Sequence, residues 1–174
     1  MNKKIKELVL VAMFTALIAV GAFIKFPMLG VPMTMQSFFV ILAALVLRKE
    51  MAFLSVLLYI VMGLIGLPVF TSGGGPQYLL FPSFGYLLGF LLSVYFISAL
   101  KEKINVYFVI IVGILLVYLV GVPYFTFIQS VINGKSYPIS FMVINLFLVY
   151  LPKDIIFGIL AYKISQITKK SINI

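Results

Sequence analysis

Apolar runs broken by short polar clusters set the pattern of this chain. Ile5–Ile24 is a continuous run of about 20 residues, enough to cross a hydrocarbon core about 30 Å thick. Met35–Leu47, at about 13 residues, is short for a crossing unless the segment before it also lies at membrane depth. Met51–Gly66, Ser83–Leu100 and Ile104–Val122 follow, the last open to extension past Pro123 towards Val131. Tyr137–Ile167 reads either as one tilted crossing or as a short outer piece, Ser140–Tyr150, followed by a crossing from Pro152 to Thr168. The second reading is preferred, because proline suits the first turn of a helix. Backbone in lipid satisfies its own hydrogen bonds only as helix or closed barrel, and these runs are continuous rather than alternating, so they are helices. The expectation is an all-α membrane protein, one integral membrane domain over residues 1–174. Its six transmembrane helices are placed at about 5–24, 35–47, 51–66, 83–100, 104–122 and 152–168.

The breaks between the runs differ in character. Lys25–Thr34 carries Pro27, Gly30 and Pro32 and reads as a turn or irregular segment, Arg48–Glu50 as a tight turn, and Asn133–Ser136 as a turn signal. Tyr59–Tyr86 is the exceptional one. It holds six of the thirteen glycines (Gly63, Gly66, Gly73, Gly74, Gly75, Gly85) and three of the eight prolines, and no charge. Phe70, Tyr78, Phe81, Phe84 and Tyr86 flank the triplet Gly73–Gly75, where backbone can bend or approach a ligand closely. A stretch this long is unusual for a connector. The plainer alternative is a flexible loop that only joins two helices.

Composition narrows the class. The chain is 64% hydrophobic and 10% charged, with a mean hydropathy of +1.24; a soluble domain carries about 25% charged residues. No soluble fold of this size hides so much apolar surface. The net charge of +9 is not a nucleic-acid signal, because the basic residues lie mostly at helix ends. With both termini cytoplasmic, Lys3, Lys4, Lys6, Arg48, Lys49, Lys101, Lys103, Lys163, Lys169 and Lys170 face inward, against Lys25 and Lys135 outside; this is the positive-inside bias. That orientation puts the glycine-rich stretch on the outer face. The basic start and apolar first run look like a signal peptide, but no small-residue cleavage site and soluble region follow, so the run is read as a retained span. Cys and His are absent, which removes disulfides, thiolate and imidazole metal sites and imidazole catalysis.

Few residues are left to carry chemistry. Glu7, Glu50 and Glu102 sit within the basic clusters, whereas Asp154 stands beside Lys153 at the apolar start of the last run. An ionisable residue in or near the membrane is costly and points to function. An aspartate in a helix's first turn is also favoured by the macrodipole, with Lys153 snorkelling to the interface; the functional reading is the stronger. Thr34, Gln36, Ser72, Gln77, Asn145, Tyr59, Tyr78 and Tyr86 are the other polar candidates, all expected near the outer half of the bundle with Asp154. A few hydrogen-bonding groups among aromatics describe a small-molecule site. An enzyme's parts are missing: there is no carboxylate pair, nucleophile–base set or metal cluster. Gly134-Lys135-Ser136 resembles the end of a phosphate-binding loop, but Gln129 stands where that motif needs its first glycine. The chain is not expected to hydrolyse ATP, so uphill transport needs a partner. In the first span Ala12 and Ala16 lie one turn apart, which lets another helix approach closely, although alanine is also simply common in membrane helices.

Taken in order, VPMTMQSFFVILAALVL, then the glycine-rich stretch from Tyr59 through TSGGG, FPSFGYLLGF, and YLPKD ending at Asp154 resemble the BioY family. These are the biotin-specific substrate-binding (S) components of energy-coupling factor (ECF) transporters in prokaryotes. The resemblance runs from Val31 to Asp154. It implies the six-helix S-component fold, multi-pass in a prokaryotic cell membrane, with an outward-open biotin pocket and no cofactor. It also implies assembly with a transmembrane coupling (T) protein and two ATPases, docked through Ala12 and Ala16. Onto the pocket it carries Thr34, Gln36, Gly73, Gly74, Gly75, Tyr86 and Asp154; Tyr59, Gln77, Asn145 and Lys153 join them from the residue reading. Asp154 and Gln36 would meet the ureido group, the aromatics the ring, and Lys153 or the glycine-stretch amides the carboxylate, with Pro68–Ser83 as a lid. Where the family often has Gly before the aspartate and Lys three residues after it, this chain has Lys153 and Phe157. The alternatives are an S component for another vitamin, such as thiamine or riboflavin, a small membrane enzyme, or a structural subunit without a ligand.

Overall fold

The computed structural model describes residues 3–28 and 30–172, the side chains of 3, 171 and 172 excepted. Six main helices form the bundle: α1 (Lys3–Phe23), α2 (Gln36–Val46), α3 (Lys49–Leu64), α4 (Phe84–Leu100), α5 (Val106–Phe127) and α7 (Leu151–Ile172). A short helix, α6 (Ile139–Val143), continues as a wider π-type turn over Ile144–Leu148 before α7.

Helix α2 is the centre of the bundle. Its sequence is apolar on nearly every side, so it has no face to offer water, and ten of its eleven residues are buried. It packs against α1, α4 and α7. At about 1.5 Å per residue it is roughly 16 Å long, half the depth of a bilayer core. The second apolar run thus forms a buried core helix about half a crossing long. At one end Lys25–Phe26 and Met33–Thr34 (β1 and β2) pair antiparallel, so the segment expected as irregular is a small hairpin. At the other end the Lys101 ammonium donates to the carbonyls of Ala44, Leu45 and Leu47 at 2.9, 3.0 and 2.6 Å. It caps carbonyls that have no partner within the helix.

The remaining elements follow from local chemistry. The turn expected over Arg48–Glu50 is shorter, because Lys49 and Glu50 already belong to α3. Asn105 caps α5, its side-chain oxygen accepting from the amides of Tyr107 and Phe108 at 3.0 and 3.3 Å. Helix α5 continues through Pro123 and ends in a π-type turn over Ile128–Ile132. It lies against α4 closely enough that a Cβ on Gly89 would stand 2.7 Å from the Val117 carbonyl oxygen. Only a two-residue turn at Val149–Tyr150 separates the π-type turn from α7, Pro152 is the second residue of α7, and Ile139–Lys170 taken together is long and apolar enough to cross a membrane.

Charge gathers at one end of the bundle. There Arg48 pairs with Glu7 at 3.4 Å and Lys169 with Glu102 at 3.9 Å. The hairpin and the glycine-rich loop lie at the other end, tied together by the Lys25 ammonium donating to the Thr71 carbonyl.

Candidate functional site

Asp154 lies in the first turn of α7 and is only 7% exposed. Its carboxylate is fully engaged. Oδ1 accepts from the Ser37 hydroxyl at 2.5 Å and from the Lys153 ammonium at 2.6 Å, and Oδ2 accepts from the Tyr118 hydroxyl. Three elements therefore converge on one carboxylate: α2 through Ser37, α5 through Tyr118 and α7 itself. Lys153 also donates to the Thr34 carbonyl at 3.0 Å and to Ser37 Oγ at 3.2 Å. A buried charge pair holds only when further hydrogen bonds compensate its lost hydration, and here they do.

The lysine position is a finding in itself. One residue's offset on a helix turns a side chain by about 100°, yet the ammonium lies beside Asp154 and 5.1 Å from the centre of the Phe157 ring. The long stem bends back over the ring, a cation–π contact. Phe157 thus supports the charge that the chain carries at Lys153.

A second polar group is linked to the first through β2. Gln36, also buried, donates from Nε2 to the Tyr59 hydroxyl at 2.8 Å, and that hydroxyl donates to the Val69 carbonyl at 3.2 Å. Thr34 Oγ1 donates to Gln36 Oε1 at 3.3 Å. A third group ties the glycine-rich loop together, with Thr71 Oγ1 2.8 Å from the Tyr78 hydroxyl and that hydroxyl 3.2 Å from Ser83 Oγ. Tyr86 donates to the Leu146 carbonyl at 3.3 Å, and Tyr150 donates to the Val31 carbonyl. The Tyr86 and Tyr118 rings meet edge to face at 6.3 Å.

These groups surround one cavity, whose apolar side is Leu87, Phe90 and Val117. Its free volume is about 60 Å³, room for a few waters and well below the roughly 300–1,000 Å³ of small-molecule sites. Among the described residues no buried side-chain polar atom lacks a partner. The polar side chains that border the cavity thus already have partners within the protein.

Residues 1–173 match the model of the BioY family. The chain belongs to the BioY family. It is a multi-pass membrane protein of prokaryotic type. It is 47% identical over 137 residues to a probable biotin transporter BioY of Lysinibacillus sphaericus, covering 75% of this chain and 70% of that protein. It is 33% identical over 178 residues to a probable biotin transporter BioY of Bacillus subtilis strain 168, covering 94% and 92%. The crystal structure at 2.1 Å of the S-component for biotin from an ECF-type ABC transporter has the same fold. It superposes with a TM-score of 0.72 at 28% identity over 98% of this chain and 95% of that one.

Of the site residues read from the sequence of this BioY chain, Thr34, Gln36, Tyr59, Tyr86, Lys153 and Asp154 line the cavity together. Gly73, Gly74, Gly75, Gln77 and Asn145 lie outside that lining. The glycines shape the loop: Gly73 pairs its backbone with Phe70, and a Cβ on Gly74 would stand 2.1 Å from the Leu67 carbonyl oxygen. Gln77 is exposed and donates to the Gly74 carbonyl at 2.6 Å, Asn145 donates to the Phe141 carbonyl at 3.3 Å, and Ser72 is exposed. Tyr78 lines the cavity too, and so does Ser83, which stands where the family often has Thr; Ser37, Thr71, Tyr118 and Tyr150 line it without having been singled out. Tyr118, one of three tyrosines on α5, carried only a weak signal in the sequence: a hydroxyl in the middle of an apolar run needs a partner. Ala12 and Ala16 are exposed on α1, flanked by the exposed Leu8, Val9, Met13 and Val20.

Proposed function

We propose that this chain is the biotin-binding S component of an ECF-type uptake transporter. It captures biotin outside the cell for ATP-driven import by partner subunits, and it is a transport protein rather than an enzyme. One observation carries the reading. A buried carboxylate, held by Ser37, Lys153 and Tyr118, borders an aromatic cavity in a BioY-family chain.

Biotin joins a ureido group, an apolar thioether ring and a carboxylate tail. The ureido N–H groups donate to Asp154, and Gln36 completes that end. Tyr86, Phe90 and Val117 cover the ring, and the tail meets Lys153 or the amides of the glycine-rich loop. Pro68–Ser83 acts as a lid that opens for entry and closes after it. The partners are a transmembrane coupling protein, which docks on the exposed Ala12–Ala16 face of α1, and two ATPases. Both termini face the cytoplasm, in keeping with the ten basic residues assigned to that side against two outside.

Equilibrium biotin binding to the purified chain in detergent, with Asp154→Ala alongside, tests this. Tight binding lost in the variant is the expected result. Tight binding retained in the variant moves the anchor to Gln36. No biotin binding by the unaltered chain overturns the reading.

A further inference from the structure

A second cavity lies on the outside of the bundle, between α5 and the short helical segment that follows it. It is a groove of about 530 Å³. Leu115, Leu119 and Val122 of α5 form one wall, and Ile139, Val143 and Phe147 the other. None of the residues of α6 is buried, and Ile139 and Val143 stay exposed in the groove while Phe147 anchors the wall, its ring edge to face with Tyr118 at 5.1 Å. Helix α5 with its π-type turn, Val106–Ile132, is long and apolar enough to cross a membrane, and the α5 wall occupies its middle. The groove therefore opens to hydrocarbon.

Two observations specify the occupant. A void at this depth leaves its lining atoms without neighbours on one side, and only lipid is at hand to supply them. A convex helix surface lets lipids pass, whereas a concave slot touches a flexible chain on two sides and retains it. Lys135, in the loop that joins the two walls, is exposed; its backbone N–H donates to the Gln129 carbonyl at 2.8 Å, while its ammonium makes no hydrogen bond or ion pair among the described residues. A cation at the membrane surface attracts lipid phosphate. We propose that the groove holds an acyl chain of an anionic membrane phospholipid whose phosphate sits at Lys135. This site is separate from the polar cavity, although the Tyr118 ring borders both.

The absence of Trp from the chain makes the test direct. Leu119→Trp places a single indole in the groove at a side chain that is 69% exposed, and Ile111→Trp places one on the same helix outside it. The detergent-purified proteins are titrated with phosphatidylglycerol brominated on its acyl chain. Saturable quenching at stoichiometric lipid for Leu119→Trp, and none for Ile111→Trp, is the expected result. Equal quenching at both positions, or none at Leu119→Trp, overturns the proposal. Adding Lys135→Gln to Leu119→Trp moves the midpoint severalfold to higher lipid, and an unchanged midpoint overturns the headgroup assignment. Neither readout depends on what the polar cavity binds.

Discussion

Ser37 and Asp154 are 117 residues apart in the chain and meet through a 2.5 Å hydrogen bond in which the hydroxyl donates to the carboxylate. The contact joins the first turn of the central helix to the first turn of the last one. The same hydroxyl accepts from Lys153, so it both orients the carboxylate and anchors the neighbouring cation.

Removing either hydroxyl from Asp154 should weaken ligand binding without abolishing it. A hydrogen bond to a charged group contributes about 1.5–3 kcal/mol, or roughly 10–150-fold in affinity. Ser37→Ala and Tyr118→Phe are each expected to lose at least about tenfold in equilibrium biotin binding. Because they share one carboxylate, the double variant should depart from additivity by about 0.5–3 kcal/mol. Additive losses would mean that the two hydroxyls act on separate features of the site.

The tie between Lys25 and Thr71 predicts a kinetic effect. Lys25→Met removes the link between the hairpin and the glycine-rich loop. Lys25 is exposed and water competes for its ammonium, so loss of that bond, at about 1 kcal/mol, should speed ligand release roughly fivefold and leave the entry rate little changed. Stopped-flow dissociation of a fluorescent biotin conjugate measures it, and an unaltered release rate would separate this contact from lid opening.

Gly74→Val probes the loop from within. The added Cβ would stand 2.1 Å from the Leu67 carbonyl oxygen, so the backbone must shift. The expected cost is about 1–3 kcal/mol, expressed mainly as weaker biotin binding. Binding titrations with a thermal melt alongside distinguish a loop effect from global loss, and unchanged binding would refute the role of Pro68–Ser83 as a lid.

Lys101, just beyond the end of α4, gives a pH dependence. Burial pushes its ammonium down to about 8 from 10.5, with Lys169 adding to the shift and Glu102 opposing it. A lysine with a depressed folded-state pKa binds its proton less readily when folded. Between about pH 8 and 10.5 the unfolded chain holds the extra proton, so this group's contribution rises with pH across that window and is lost as pH falls through about 8. Thermal midpoints in detergent should climb from pH 8 to pH 10 more steeply for the unaltered chain than for Lys101→Met. Parallel slopes would show that Lys101 does not titrate in this range.

The helical membrane class and the family are legible in the residues alone. Those are properties of composition and of local runs: continuous apolar segments, charges at their ends, and motifs of a few residues in a set order. The sequence also singled out Asp154, since a carboxylate in so apolar a setting is conspicuous without any coordinates. Tertiary structure decided what surrounds that carboxylate. Ser37 looked like one more small residue at a helix start, and Tyr118 like one aromatic among many on α5; each became part of the site only when α2, α5 and α7 packed side by side. Lys153 illustrates the same limit from the other side. Helical spacing turns it away from Asp154, yet a flexible four-carbon stem and the Phe157 ring bring its ammonium back to within 2.6 Å. The short second run likewise has no local explanation. Helix α2 is buried at ten of its eleven residues, and the lysine that caps its end lies 54 residues further along the chain. Hydrophobic periodicity records which faces avoid water, but which polar atoms meet across a core depends on helix packing at the scale of an ångström, and no stretch of sequence contains that distance.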